Sequence, residues 1–284
     1  MNERFWLVTT QKLENDLWFR DEEDFKVGMN YVAVLVATLP IEILAFVLMS
    51  NHVHFVLMGL YKESLSFINL FKQLYSRYFS LRYSSRELLR ENTVDFRELA
   101  VGDESLERAI AYVQMNPVAA NICLNPAGYP WGTGSSFFNS VKVKGTRAGD
   151  LSRRALARLV HSKVIPPSDY VFDDRGVIIP GSYLKVEFVE RIFRTPNRMN
   201  FFLNNSSKAK FLKEAPSFED QLILPAIRSL CVSLFRRQSF KELSVTQQAE
   251  ILKQIRYRFS SDPNQLARLV GLSYEEVSNL LDSV

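Results

Sequence analysis

Cysteine is nearly absent: Cys123 and Cys231 are the only two in 284 residues. Two thiols so far apart exclude a disulfide-stapled framework and a zinc knuckle, and they read as buried or bystander groups without a redox role. Long hydrophobic runs are missing as well. No apolar stretch reaches the ~18 residues of a membrane span before a charge or a proline interrupts it. The opening Met1-Asn-Glu-Arg-Phe-Trp6 has no signal-peptide layout. A cytoplasmic protein with no membrane partner is the expectation. Histidine is scarce too, with three in the whole chain, and scarcity makes their placement informative.

What is present is ordinary globular material, 47% hydrophobic and 23% charged, with enough apolar mass for a core and a second domain. The net charge of +4 is unevenly spread: residues 1–140 hold 12 Lys plus Arg against 16 Asp plus Glu, and the rest hold 23 against 15. A basic half joined to a mildly acidic half suits a polyanion on one side of the molecule, and so does a soluble surface with scattered lysines. Charge alone leaves both readings open.

Two of the three histidines fall in His52-Val53-His54, inside the apolar run Leu44 to Met58. Side chains two apart on a strand share a face, so Val53 can enter the core while both imidazoles project together, near enough to hold one cation. A pair of surface-strand histidines is the plainer alternative.

The surrounding pattern reads as alternating elements. Phe5 to Thr10 is a strand, and the acids Asp21 to Asp24 precede an apolar helix from Phe25 to Thr38 that Pro40 stops. Ile43 to Leu48 is a strand that turns at Met49-Ser-Asn51 into the strand carrying the histidines. Glu63 to Tyr83 is a long amphipathic helix, and Phe96 to Val101 a short strand. A further helix, capped by Asp103 or Ser105, runs through Tyr112 to about Met115, where Pro117 ends it. This order predicts an α+β fold, an antiparallel sheet with helices packed on one face in the ferredoxin or RRM manner, followed by a mainly helical C-terminal region. Tyr112 and Asn116, four residues apart, share a helix face.

At these residues the chain resembles a known family. Met49-Ser-Asn-His-Val-His-Phe-Val-Leu57, followed by Tyr112-Val-Gln-Met-Asn-Pro-Val-Ala-Ala120, resembles the single-tyrosine HUH transposases, named for histidine, hydrophobic, histidine. It is most similar to the REP-associated tyrosine transposases, whose Tyr-Ile-x-x-Asn-Pro-Val is matched with Val113 in place of Ile. Tyr129-Pro-Trp-Gly-Thr-Gly-Ser-Ser136 resembles that family's Tyr-x-Trp-Ser-Ser segment, interrupted by Gly132-Thr-Gly134. The resemblance covers residues 1–140.

The resemblance implies that His52, His54 and the Asn116 amide oxygen hold a divalent cation, Mg²⁺ or Mn²⁺, and that Tyr112 is the nucleophile. Nitrogen and oxygen donors without thiolates suit those ions better than a closed structural zinc site. It also implies single-stranded DNA bearing a hairpin as the partner, a 5′-phosphotyrosine product, and a monomer or homodimer. Tyr75 and Tyr78 read as core residues, and neither Glu107 nor Gln114 is given a role. For phosphate contacts the candidates are Lys72, Arg77, Arg82, Arg86 and Arg90 on and after the long helix, with Arg97 on the following strand; a solvated surface is the alternative for each.

Beyond residue 140, 141–243 reads as a basic extension: a helix from Leu151 to Val160, a small hairpin at Val171 to Ile179, and a long helix from Ser182 to Asn204. His161 ends the first of these helices and is left out of the metal site. Residues 244–284 read as a three-helix module resembling a helix-turn-helix, with Gly271 at the turn and Ser273 as a cap. Contact with duplex DNA is one reading of it, against which Glu275 and Glu276 stand at the start of the last helix. Three functions compete: an active DNA strand transferase, a domesticated and inactive DNA-binding regulator, and a metal-independent interaction protein.

Overall fold

The computed structural model describes residues 4–11, 13, 17–84, 92–100, 102–139, 144–208, 218–259 and 261–282. Its amino-terminal part is β1 (Phe5–Thr10), α1 (Glu22–Val36), β2 (Glu42–Met49), β3 (His52–Met58), α2 (Tyr61–Tyr83) and β4 (Val94–Leu99). The four strands pair antiparallel in the order β2-β3-β1-β4, the split β-α-β arrangement of ferredoxin-like folds. Asp21 caps α1 by accepting from the Asp24 backbone amide, and three acids occupy its first turn.

Strand alternation decides what lies on each face. Phe55 meets Phe67 and Phe71 of α2, and Leu48 lies under Gly28 of α1, so α1 and α2 cover one face. His54, the next residue along β3, points the other way, toward α3 (Ser105–Gln114). The expected antiparallel sheet with helices is therefore present, with α1 and α2 on one side and α3 on the opposite side. Asp103 accepts from the Ser105 amide at the start of α3. Pro117 does not simply stop the chain: Asn116 and Pro117 open a short turn, α4 (Asn116–Ala119), because proline suits a first helical position.

The buried residues gather into two hydrophobic cores. The first extends to Phe202 and takes in β5 (Thr146–Arg147), α5 (Arg153–Val160), β6 (Val171–Phe172), α6 (Val186–Phe193) and α7 (Pro196–Asn204). One buried side chain explains much of this: the Asn30 amide donates to the carbonyls of Leu159 and Gly176, both at 3.0 Å, and accepts from the Ile178 amide at 2.8 Å. Phe188 of α6 stacks on Phe5 at 5.9 Å. The helix expected over Ser182 to Asn204 is broken, because Pro196 cannot continue a helix and Thr195 caps a new one by accepting from the Arg198 amide.

The second core joins α8 (Asp220–Phe235) to α9 (Val245–Phe259), α10 (Pro263–Val270) and α11 (Tyr274–Asp282). Gly271 ends α10 in the left-handed region at φ 69°. Ser273 and Glu276 exchange bonds at the start of α11, the Ser273 amide donating to the Glu276 carboxylate and the Glu276 amide to the Ser273 hydroxyl. This capping box gives Glu276 a structural reason to be there. No helix among the described residues is long and apolar enough to cross a membrane.

Candidate active site

β3 places His52 and His54 on the face opposite α2, their ring centroids 4.7 Å apart and nearly perpendicular. Both are buried. The Thr9 hydroxyl, across the β1–β3 pair, lies 2.9 Å from His54 Nδ1, and the Asn51 amide oxygen lies 2.9 Å from His52 Nδ1. An amide oxygen only accepts, so His52 carries its proton on Nδ1 and its lone pair on Nε2, the tautomer that coordinates a metal.

α3 crosses the same face and sets the Tyr112 ring edge-on to His54, 5.5 Å between centroids, within one chain. One turn later the Asn116 amide nitrogen donates back to the Tyr112 carbonyl at 2.8 Å and to the Val113 carbonyl at 3.4 Å. Its nitrogen is thus committed to the helix, and its oxygen is the end suited to a cation or substrate. Asn116 and His52 line one cavity of ≈ 420 Å³, together with Asn51, Lys208, Asn264 and Arg268. The ammonium of Lys208 sits 5.1 Å from the Tyr112 ring centroid. Burial raises the Tyr112 phenol above its ordinary pKa, so the hydroxyl is protonated at neutral pH unless a nearby positive charge assists.

Among the described residues no three His, Cys, Asp or Glu side chains cluster for a metal. The side chains here that could donate to a cation are the two imidazoles and the Asn116 amide oxygen, and water or phosphate would have to complete the set. That set fits Mg²⁺ or Mn²⁺, which take oxygen ligands and tolerate imidazole, and it does not fit a closed zinc site.

His52, His54, Tyr112 and Asn116 are brought together, but three of the candidate phosphate contacts are not. Lys72, Arg77 and Arg82 belong to α2, on the far side of the sheet. The Arg82 guanidinium is closed on Asp21 and Asp24, both at 2.6 Å, beside the hydroxyl of Tyr78. The Lys72 ammonium donates to the Asn92 carbonyl, and burial lowers its pKa. Arg77 is exposed on that far side. Arg86 and Arg90 lie outside the described residues. Arg97 of β4 pairs in register with Leu7 and shares the histidine face, two strands away, with its side chain exposed. Glu107 pairs with Arg198 of α7 at 3.2 Å. His161 ends α5 in the left-handed region beside Glu23 and Tyr78, away from the site. Burial pushes the Cys123 thiol up to about 12, as suits an inert thiol.

Sequence reasoning missed Thr9, Asn51, Lys208 and Arg268. Asn51 adjoins His52 and was within reach; Lys208 and Arg268 arrive from remote elements, with no local signal.

No protein-family profile and no curated protein sequence matches the chain. The chain is similar to a solved structure of a REP-associated tyrosine transposase bound to a REP hairpin, with a TM-score of 0.34 and 15% identity over 60% of this chain and 86% of that one.

Proposed function

We propose that the chain is a metal-dependent strand transferase and endonuclease of transposase type, which cleaves and rejoins hairpin-associated single-stranded DNA through a 5′-phosphotyrosine. The observation that carries this reading is the meeting of four motif residues from β3, α3 and α4: the Tyr112 ring 5.5 Å from that of His54, and Asn116 with His52 on one cavity.

In this reading His52, His54 and Asn116 hold the cation, and Thr9 and Asn51 fix the two imidazole rings by their Nδ1 contacts. When bound, the cation supplies Lewis acidity to the phosphate oxygens. The Tyr112 oxygen attacks phosphorus in line, giving up its proton, while the bond from phosphorus to the 3′ oxygen breaks and that oxygen leaves as a hydroxyl. The phosphodiester energy is kept in the tyrosyl ester, so a 3′-hydroxyl can reverse the step without a nucleotide cofactor. Edge-on packing against His54 limits the swing of the phenol, which favours attack from one direction.

The test is a suicide oligonucleotide carrying a hairpin and a nicked flank, incubated with the full chain and Mn²⁺. A denaturation-resistant protein–DNA adduct is expected from wild type and none from Tyr112→Phe, with His54→Ala reducing it at least ~100-fold. An undiminished adduct in Tyr112→Phe would move the nucleophile elsewhere. Hairpin binding with no adduct under any metal would favour the inactive DNA-binding regulator instead.

A further inference from the structure

The second core is tied to the first through one buried carboxylate. Asp220, at the start of α8, is buried and takes a two-pronged bond from Arg268 of α10, Nε to Oδ2 at 2.7 Å and Nη2 to Oδ1 at 2.8 Å. The same carboxylate accepts from Gln265 at 3.0 Å and from the hydroxyl of Ser50. Ser50 sits in the β2–β3 turn, two residues before His52. The start of α10 is thereby fixed against the hairpin that carries the histidines, and it becomes one side of the ≈ 420 Å³ cavity through Asp262, Asn264 and Arg268.

We infer that Lys208 and the start of α10 form the outer wall of a subsite for the nucleotide that flanks the scissile phosphate, with Lys208 meeting its phosphate and Asn264 reading its base. This rests on the strand-transferase reading. The volume suits one nucleotide and excludes a duplex, falling in the ~300–1,000 Å³ range of small-ligand sites. Lys208 lines the cavity and sets its ammonium 5.1 Å from the centroid of the Tyr112 ring, so it can hold a phosphate beside the phenol. Asn264 is exposed at the rim and offers an amide with both a donor and an acceptor, the combination that distinguishes one base edge from another. Asp262, the acid on this wall, is committed as the cap of α10, accepting from the Gln265 amide at 2.8 Å. It therefore costs a bound phosphate less than an uncommitted carboxylate would.

The experiment partitions hairpin oligonucleotides with a randomised single-stranded flank on full-length protein in EDTA, and sequences the bound pool, so that cleavage is not the readout. Wild type should enrich one nucleotide at one flank position. Asn264→Ala should flatten that enrichment about fivefold or more, and Lys208→Ala should weaken all sequences about tenfold and reduce the salt slope by about one. An unchanged preference in Asn264→Ala together with unchanged salt dependence in Lys208→Ala overturns the inference. So does tighter binding in either variant, which would make this wall a barrier. If wild type still forms a Tyr112-dependent adduct in those cases, only the subsite fails; if it neither enriches a sequence nor forms an adduct, the parent reading fails with it.

Discussion

Single residues divide sharply by which side of the sheet they occupy. Arg82 looked like a phosphate contact from its charge and spacing, yet its guanidinium neutralises the fully buried Asp24, which Tyr78 and Tyr83 also bond, at 2.9 and 2.8 Å. Removing one partner of such a pair strands the other charge. Arg82→Ala should therefore cost about 3 kcal/mol of stability in urea denaturation. Hairpin affinity measured on the folded fraction should not change. Arg97→Ala should do the reverse, leaving stability alone while weakening hairpin binding and its salt dependence, and Arg77→Ala should change neither. The motif residues were legible because two residues on a strand and four on a helix fix shared faces without knowledge of the fold. The basic residues were not, because helical periodicity says nothing about which face of a sheet a helix will cover.

At the level of elements, the glycines that interrupt the Tyr129 to Ser136 segment have a packing reason. Residues 131–133 add to the open edge of β2: the Leu48 amide donates to the Trp131 carbonyl at 2.8 Å and the Thr133 amide to the Phe46 carbonyl at 3.0 Å. A Cβ on Gly132 would stand 2.8 Å from the Phe46 carbonyl oxygen, and one on Gly134 would stand 2.1 Å from that of Pro126. Both obstacles are backbone, which cannot turn aside. Gly132→Ala should cost about 1–3 kcal/mol in thermal denaturation and Gly134→Ala at least as much. Gly181→Ala, where an added Cβ meets nothing within 4 Å, should stay within about 0.5 kcal/mol. The elements of the sheet unit were readable because each carries a clean hydrophobic period. Residues 144–208 were not, since β5 and β6 are two-residue pieces that pair with each other, and Leu159, Gly176 and Ile178 beside them are held by the distant Asn30, which no local pattern announces. The three helices after residue 244 were legible from Pro263, Gly271 and Ser273, whereas the packing of α8 against them has no signal in the local pattern.

The whole molecule turns on Asp220. Burial alone would raise its pKa, but Arg268, Ser50 and Gln265 outweigh it and hold the carboxyl below the ordinary value of 3.8. For an acid depressed in the folded state, the stabilisation is complete above the unfolded pKa and drains away as pH falls through the folded one. Docking of the second core should therefore hold at neutral pH and weaken only below about pH 4. Asp220→Ala leaves Arg268 buried without its counter-ion and should cost about 3–5 kcal/mol. Limited proteolysis should release the second core faster from that variant at pH 7, and from wild type only in acid.

The contact between Ser50 and Asp220 spans 170 positions of sequence, and this separation bears on synthesis. While the chain is being translated, His52, His54 and Tyr112 emerge long before Asn264 and Arg268, so the cavity stays unfinished until translation has passed them. A ribosome-bound precursor would carry those three side chains without the wall of the cavity that α10 supplies.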